Sequence, residues 1–222
     1  MIDTTKKLNL DKIEIIAGGV GGIVAYSMGS FSSAVWIGKW FYNTDVRTHG
    51  SGNAGATNTF RVLGTKAGLI VMIIDVLKAW GAVMLANVFA DGRLTDSQLI
   101  DYKIVLGALA VIGHVFPVFT GFKGGKGVAS LVGVVLALYS PYIMLFTLLW
   151  FALVFIITRY VSLSSITASL VFALLAIFVF HEQNLYLIIL AALIALFVPL
   201  THHKNIKRLV KGEESKLAFR KK

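Results

Sequence analysis

The chain has no cysteine, only three prolines among its 222 residues, and few charged side chains. The absence of cysteine excludes disulfide bonds, thiolate metal sites and a cysteinyl thioester mechanism. Charged residues make up 14% of the chain and apolar residues 57%, whereas soluble domains have about 25% charged and 45–50% apolar residues. A soluble fold of this length cannot bury so much apolar surface, so the lipid bilayer is the expected solvent for most of the chain.

The charged residues that are present are mostly basic, with 21 Lys and Arg against 11 Asp and Glu. In a membrane protein such an excess gathers in cytoplasmic loops, near anionic substrates or near lipid headgroups. A basic soluble protein often binds nucleic acid, but a chain that is 57% apolar argues against that partner. We therefore expect membrane lipid around the chain and no nucleic acid as a partner.

Seven apolar segments predict an all-α integral membrane protein with seven transmembrane helices. Their approximate ranges are 13–37, 67–90, 102–119, 127–140, 141–158, 164–181 and 184–200. One broken helix is an alternative for the fourth and fifth, but 127–158 is too long for a single crossing of about 20 residues. We expect a single domain over 1–222, with an N-terminal extension at 1–12 and a basic tail at 201–222.

The distribution of Lys and Arg predicts the orientation, because cytoplasmic loops carry the excess of these residues. A cytoplasmic C-terminus places the basic tail and most basic loops inside. The basic residues left outside are then Lys6, Lys7, Lys12, Arg93 and Lys103. We therefore predict the N-terminus outside and the C-terminus in the cytoplasm.

Four stretches are too polar or too rich in glycine to be plain connectors, and in this topology all four face the cytoplasm. They are 47–64, 121–130, 162–165 and 202–209. The connections on the outer side are shorter or less distinctive. One face of the membrane is therefore expected to carry the functional site.

The first of these stretches contains Gly50-Ser51-Gly52-Asn53-Ala54-Gly55, which satisfies the G-x-G-x-x-G pattern of dinucleotide-binding proteins. That pattern requires a preceding strand, whereas this one joins two predicted spans. A glycine-rich loop between spans is by itself more often a turn than a phosphate cradle. Here Ser51, Thr57 and Asn58 add hydrogen-bond donors, and Arg61 adds a guanidinium suited to phosphate.

The other stretches add further groups that can hold an anion. Lys123 and Lys126 flank a Gly124-Gly125 pair just before a helix, whose first N–H groups favour anions. His202 and Asn205 are three residues apart, and share one helix face if the last span continues into the tail. Together these features indicate a membrane-embedded site for a phosphorylated substrate.

The roles of four further polar residues stay open at this point. Asp75 and Lys78 lie one helical turn apart within the second span, either as a self-neutralising ion pair or as a support for the site. His114 and His181 are more typical of structural histidines than of catalytic ones. No histidine begins an H-x-x-x-x-D motif, which argues against the acyltransferases that use acyl thioesters.

Four motifs resemble those of the bacterial acyl-phosphate–glycerol-3-phosphate acyltransferase family (PlsY). They are DVRTHGSGNAGATNTFRVLG, GHVFPVFTGFKGGKGVAS, TRYVSLSSI and HHKNIKRLVKGEE, and the resemblance extends from about Gly29 to Glu214. It implies seven spans, a site on the cytoplasmic face of the bacterial cell (inner) membrane, and no metal or other cofactor. The implied reaction transfers an acyl group from acyl phosphate to the 1-hydroxyl of glycerol 3-phosphate, giving lysophosphatidic acid and inorganic phosphate.

The resemblance also implies roles for individual residues. We predict catalytic roles for four residues, with Ser51 and Arg61 holding phosphate and His202 and Asn205 orienting glycerol 3-phosphate. Substrate-binding roles are predicted for Lys39, Gly52, Asn53, Gly55, Thr57, Asn58, Lys123, Gly124, Gly125, Lys126, Gly127, Ser162 and Ser164. Glu214 is expected to maintain the integrity of the fold. The chain departs from the family at Ser32, near which a proline is frequent.

Two other classes of function remain open from the residues alone. A small transporter or channel for an organic phosphate would use the same basic loops as a vestibule, and it would give flux without a new lipid product. A lipid-binding scaffold would leave the clustering of motifs on one face unexplained. The sequence determines neither the oligomeric state nor the preferred acyl-chain length.

Overall fold

The structure, a computed structural model, describes residues 18–90 and 94–217. Several predictions fall outside these ranges: the N-terminal extension, the start of segment 13–37, and Lys6, Lys7, Lys12, Arg93, Arg220, Lys221 and Lys222. Within the described ranges the regular structure is entirely helical, with no strand. The expected all-α fold is confirmed.

Ten α-helices form the described part of the chain. They are α1 (Gly18–Ser30), α2 (Ser33–Tyr42), α3 (Ala56–Leu63), α4 (Thr65–Ala90), α5 (Asp96–Val115), α6 (Val128–Leu138), α7 (Pro141–Thr158), α8 (Val161–Leu174), α9 (Leu185–Thr201) and α10 (His203–Val210). Short 3₁₀ turns occupy Val46–Thr48 and Val118–Thr120, and α8 continues into a π-helical turn at Leu175–Val179.

Among the described residues, four helices are long and apolar enough to cross a membrane. They are α4, α5 with its following turn, α7, and α8 with its π-helical turn. Two bent pairs raise the number to six if each pair is one span: α1 with α2, bent by 46°, and α9 with α10, bent by 60°. Helix α6, with 11 residues, is shorter than a full crossing. The predicted count of seven spans is therefore not decided by helix length.

The first predicted span, 13–37, is wrong as a single helix, because α1 ends at Ser30 and α2 begins at Ser33. At the break, the carbonyl oxygen of Phe31 accepts hydrogen bonds from the Ser33 N–H at 3.1 Å and from the buried Lys78 ammonium at 2.7 Å. The hydroxyl of Ser33 donates to Asp75 over 2.7 Å. Two charged side chains of α4 thus bond to Phe31 in the break and to Ser33 at the start of α2.

The other boundaries agree more closely with the apolar segments. Helices α6 and α7 are separate, as expected, and α7 begins at Pro141, which tolerates the first turn of a helix. Helix α5 begins six residues before the predicted start at 102, because Thr95 and Gln98 form a reciprocal capping box at its N-terminus. Polar caps therefore extend a helix beyond its apolar part.

Small residues allow the helices to approach closely around α4, as is common in membrane proteins. Ala79, Ala82 and Ala86 on α4 are fully buried. A Cβ atom added to Gly133 of α6 would lie 2.2 Å from the carbonyl oxygen of Val76 on α4. This close packing holds α4 and α6 in a fixed position relative to each other.

Candidate active site

The predicted polar stretches come together although they are far apart in the sequence. Arg61 of α3 donates from Nη2 to the carbonyl oxygen of Ser215, 154 residues away, over 3.0 Å. Lys126 Nζ donates to Asn205 Oδ1 over 2.5 Å. A Cβ atom added to Gly55 would lie 3.9 Å from the Cα atom of Gly125. The structure therefore joins the first loop, the glycine-rich loop and the tail in one site.

Glu214 lies at the centre of this site, 6% exposed. Its Oε1 accepts hydrogen bonds from Ser162 Oγ at 2.8 Å and from Asn205 Nδ2 at 2.6 Å, and its Oε2 accepts one from Arg208 Nε at 2.7 Å. Burial opposes ionisation, but these hydrogen bonds hold the pKa of Glu214 below its ordinary value. The carboxylate therefore ties α8, α10 and the following tail together.

Three cations surround this single carboxylate: Arg61, Lys126 and Arg208. We call these residues, with Glu214 and Asn205, the tail cluster. Burial lowers the pKa of Lys126 to about 8, against the opposing attraction of Glu214, and Arg208 and Arg61 lower it further. The excess of positive charge suits a phosphate group, which supplies the missing negative charge and accepts several hydrogen bonds.

Arg61 keeps an unused hydrogen-bond donor in the tail cluster. Its Nε atom is buried without a hydrogen-bond partner in the described part of the chain. A buried donor without a partner is costly, so a group that accepts this bond gains affinity. A substrate phosphate has the required oxygen atoms.

The last span ends close to its predicted bound and does not continue into the tail as one helix, so the condition for His202 and Asn205 to share one helix face is not met. Helix α9 ends at Thr201, α10 begins at His203, and the two helices are bent by 60°. His202 lies at this bend, buried, with its Nδ1 atom 2.8 Å from the carbonyl oxygen of Val198. A carbonyl only accepts, so Nδ1 carries the proton and Nε2 has a free lone pair. The bend thus orients the imidazole as a hydrogen-bond acceptor.

In the first loop, Asn58 is committed to shaping the backbone. Its Nδ2 atom donates to the carbonyl oxygens of Val46 at 2.7 Å and His49 at 3.1 Å, and its Oδ1 accepts from the Ser51 N–H at 2.8 Å. Gly50 has φ +60°, and a Cβ atom there would lie 2.4 Å from Asn58 Oδ1. This glycine therefore makes room for a side chain of the loop itself. The arrangement presents Ser51, which is exposed, at the loop surface.

The glycine-rich loop is likewise packed against the protein. The N–H groups of Gly124 and Gly125 donate to the carbonyl oxygens of Val115 and His114, both at 3.2 Å. Gly127 has φ +82° and stands at the N-terminus of α6. The two central N–H groups are thus engaged with the end of α5. The donors that remain for an anion are Lys126 and the first N–H groups of α6.

Other predicted site residues have different surroundings. Lys39 is exposed, with Nζ 3.9 Å from Asp45 Oδ2. Ser164 Oγ donates to the carbonyl of Tyr160 within its own helix, at 2.9 Å, whereas Ser162 donates to Glu214. Of the remaining predicted residues, Gly52 and Asn53 precede α3, Thr57 lies in the first turn of α3, and Lys123 lies on the glycine-rich loop; all four are exposed or half-buried. Their predicted roles stay predictions.

An apolar pocket adjoins the tail cluster and was not predicted from the sequence. It lies between α6, α7, α8 and α9, and its lining includes Val128, Leu131, Val135, Met144, Phe172 and Val198. Val128 follows Lys126 by two residues, and the carbonyl of Val198 bonds to His202. Helices that are apolar on all sides give no periodic signal for such a pocket, so only the packing reveals it.

Among the described residues, no group of three or more His, Asp or Glu side chains is placed to hold a metal ion. The site offers cations, amides, an imidazole and an apolar cavity. This set can bind a molecule with a phosphate at one end and a hydrocarbon chain at the other.

Known proteins are similar to this chain over most of its length. A family model described as glycerol-3-phosphate acyltransferase matches residues 20–212. The glycerol-3-phosphate acyltransferase of Listeria welshimeri is 47% identical over 200 residues, which cover 89% of this chain and 95% of that protein. The enzyme of Fusobacterium nucleatum is 46% identical over 198 residues, covering 89% and 96% respectively.

Two solved structures are also similar. The crystal structure of PlsY (YgiH), an integral membrane glycerol 3-phosphate acyltransferase, in the glycerol 3-phosphate form matches with a TM-score of 0.80 and 37% identity, covering 90% of this chain and 96% of that one. The lysophosphatidic acid form matches with a TM-score of 0.77 and 36% identity, covering 91% and 96%. The resemblance read from the four motifs is thus confirmed, and the chain belongs to the glycerol-3-phosphate acyltransferase family of integral membrane proteins.

Proposed function

We propose that this membrane glycerol-3-phosphate acyltransferase of the PlsY type uses acyl phosphate as its acyl donor. The acyl group is transferred to the 1-hydroxyl of glycerol 3-phosphate, and the products are lysophosphatidic acid and inorganic phosphate. This is an acylation step of phospholipid synthesis. The observation that carries the proposal is the tail cluster, with three cations to one carboxylate, next to an apolar pocket whose lining includes Val128 and Val198.

The site has a place for each part of the two substrates. Arg61 and Lys126, with the N-terminus of α6, hold phosphate, and Ser51 of the first loop closes over it. The acyl chain lies in the pocket between α6 and α9. The two similar PlsY structures are forms with glycerol 3-phosphate and with lysophosphatidic acid, which supports one site for both kinds of group.

The chemistry requires little from the protein beyond placement and charge stabilisation, because acyl phosphate is an activated mixed anhydride. The glycerol hydroxyl attacks the acyl carbon, a new carbon–oxygen bond forms, and the bond from the acyl carbon to the phosphate oxygen breaks. The departing phosphate takes the hydroxyl proton. His202 orients the hydroxyl by accepting a hydrogen bond at Nε2, while Asn205 and Arg61 fix the phosphates.

A purified, detergent-solubilised chain tests this function directly. It is given glycerol 3-phosphate with acyl phosphate, or with an acyl thioester of the same chain length. Inorganic phosphate and lysophosphatidic acid appearing together, only with acyl phosphate, are the expected result. Product formation from the thioester alone would overturn the proposed donor. In sealed vesicles, phosphate-ester flux without a new lipid would instead identify a transporter.

The pocket is tested by the acyl-chain length that the enzyme accepts. Val135 lies two helical turns beyond Val128 on α6, about 10 Å deeper in the pocket. Val135→Phe is expected to raise the KM for long acyl phosphates about fivefold and to leave short ones unchanged. The neighbouring Leu136 is 44% exposed and faces away from the packed interior, so Leu136→Phe is the matched control. Equal changes in both variants would contradict the placement of the acyl chain.

We further propose seven spans, with the N-terminus outside, the C-terminus in the cytoplasm, and the site on the cytoplasmic face of a bacterial inner membrane. The four long helices and the two bent pairs account for up to six crossings, and we assign the seventh to the short apolar helix α6. The absence of native cysteine makes single-cysteine labelling clean. A membrane-impermeant maleimide is expected to label Gln183→Cys in intact cells, and Lys211→Cys only after permeabilisation. The reverse pattern would overturn the orientation.

A further inference from the structure

A second group of charged side chains lies buried among the helices, apart from the tail cluster. Asp75 and Lys78 of α4 are 1% and 8% exposed, and His114 of α5 is 5% exposed. Lys78 Nζ lies 2.8 Å from Asp75 Oδ1 and 3.1 Å from His114 Nδ1. Ser33 of α2 donates to the same Asp75 oxygen. We call these four residues the buried network.

The buried network contacts the glycine-rich loop through one residue, His114. The carbonyl oxygen of His114 accepts a hydrogen bond from the Gly125 N–H at 3.2 Å. A Cβ atom added to Gly125 would lie only 2.2 Å from Nε2 of the same histidine. The imidazole is therefore held by Lys78 on its Nδ1 side and faces Gly125 on its Nε2 side. Lys126, the next residue, reaches Asn205 in the tail cluster.

Buried charges inside a membrane protein are costly unless they are paired, and they are kept mainly where they serve function. This network is balanced, with one lysine for one aspartate, so it lacks the excess charge of a site for an anion. Its hydrogen bonds join the break between α1 and α2, α4, α5 and the glycine-rich loop at one point. Such a junction is suited to holding a loop in place.

We propose that His114, held by Asp75 and Lys78, is a positioning residue that sets the place of the segment 124–127 and thereby of Lys126 in the glycerol 3-phosphate site. This rests on the proposed phosphate-binding role of Lys126. The ring of His114 supports the backbone at Gly125, and a side chain at position 125 displaces it. Lys126 then moves away from Asn205, and glycerol 3-phosphate binds more weakly.

A double-mutant cycle between His114 and Gly125 tests the proposal. Gly125→Ala is expected to raise the KM for glycerol 3-phosphate about tenfold, with the KM for the acyl donor unchanged. His114→Ala makes room for the new methyl group, and Lys78 keeps its bonds to Asp75 and Phe31. In that background Gly125→Ala is expected to change the same KM less than threefold. His114→Asn keeps an acceptor for Lys78. It is expected to relieve the same steric contact with the methyl group at position 125, and it is the second variant in which Gly125→Ala is measured.

The control acts on the same helix at its other end. Thr95→Ala removes the capping box of α5 and is expected to lower the thermal stability while leaving both KM values unchanged. Independent, multiplicative effects at His114 and Gly125, or changes like those of Thr95→Ala, would overturn the positioning role.

Lys126→Ala is measured alongside to separate the two proposals. If this variant keeps the wild-type KM for glycerol 3-phosphate, the proposed site is wrong, whatever the cycle shows. If Lys126→Ala raises that KM and the cycle is additive, only the positioning role of His114 fails.

Discussion

The tail cluster and the buried network differ in how their charges are balanced. In the tail cluster, three cations share the single carboxylate of Glu214, and Arg61 keeps an unpartnered Nε–H. In the buried network, one lysine meets one aspartate at 2.8 Å, Ser33 donates to the same Asp75 oxygen, and Phe31 accepts from Lys78. The other Asp75 oxygen, Oδ2, is buried without a hydrogen-bond partner among the described residues, so the two sites differ in charge balance and not in whether every polar atom is bonded. Excess charge of one sign indicates a place for a ligand of the other sign, whereas balance indicates a scaffold.

A substitution of Arg61 tests the difference between the two clusters most directly. Arg61→Ala removes the free guanidinium donor, and we expect kcat/KM to fall about 1000-fold, equivalent to about 4 kcal/mol of transition-state stabilisation. Arg61→Lys restores only part of this, because an ammonium cannot bind phosphate in a bidentate manner. Lys66→Ala, an exposed cation three residues beyond α3, is the control for simple loss of charge. Wild-type turnover by Arg61→Ala at saturating substrates would remove the tail cluster from catalysis.

Removing one charge of the buried network is expected to lower the stability more than removing both charges together. Lys78→Met leaves Asp75 as a buried, unpaired carboxylate and is expected to cost about 3–5 kcal/mol of stability. Asp75→Asn combined with Lys78→Met removes both charges, and we expect this double variant to be the more stable of the two. Thermal unfolding in detergent measures both. A double variant less stable than Lys78→Met would show that the network is not a balanced scaffold.

The pH dependence distinguishes the clusters through Lys126. Burial lowers the pKa of Lys126 to about 8, so the free protein loses this ammonium charge as the pH rises through that value. The KM for glycerol 3-phosphate is therefore expected to rise about tenfold between pH 7 and pH 9.5, since one charged hydrogen bond is lost. Lys126→Arg keeps its charge over this range and should give a flat profile. The same rise in that variant would assign the titration to another group.

The smallest effect is expected at Lys39. This side chain is exposed and lies near Asp45, whose carboxylate is already bound to Arg47 at 2.8 Å. Lys39→Ala is therefore expected to change either KM less than twofold, since exposed ion pairs contribute little. A KM change of tenfold or more would extend the phosphate site to α2 and support the substrate-binding role predicted for Lys39.

The motifs predicted the family, because long runs of glycine and polar residues are rare in apolar chains. They also included Arg61, Lys126, Asn205 and Glu214, which the structure brings together. The motifs say less about which of these side chains contact a ligand. Asn58 and the Gly124-Gly125 pair read as groups for phosphate, but their hydrogen bonds go to the protein itself. Glycine permits close approach by any neighbour, and the sequence does not say whether that neighbour is a substrate or another helix.

The sequence by itself determined the membrane environment, the helical class and the family, since apolar content and motif order depend on residue identity alone. Tertiary structure decided the bend at His202, the break after Ser30 and the convergence of Arg61, Lys126, Arg208 and Glu214. It also decided that Asp75, Lys78 and His114 form one network. These features depend on contacts between helices distant in the chain, where the cost of burying a charge is offset only by a partner that packing brings near.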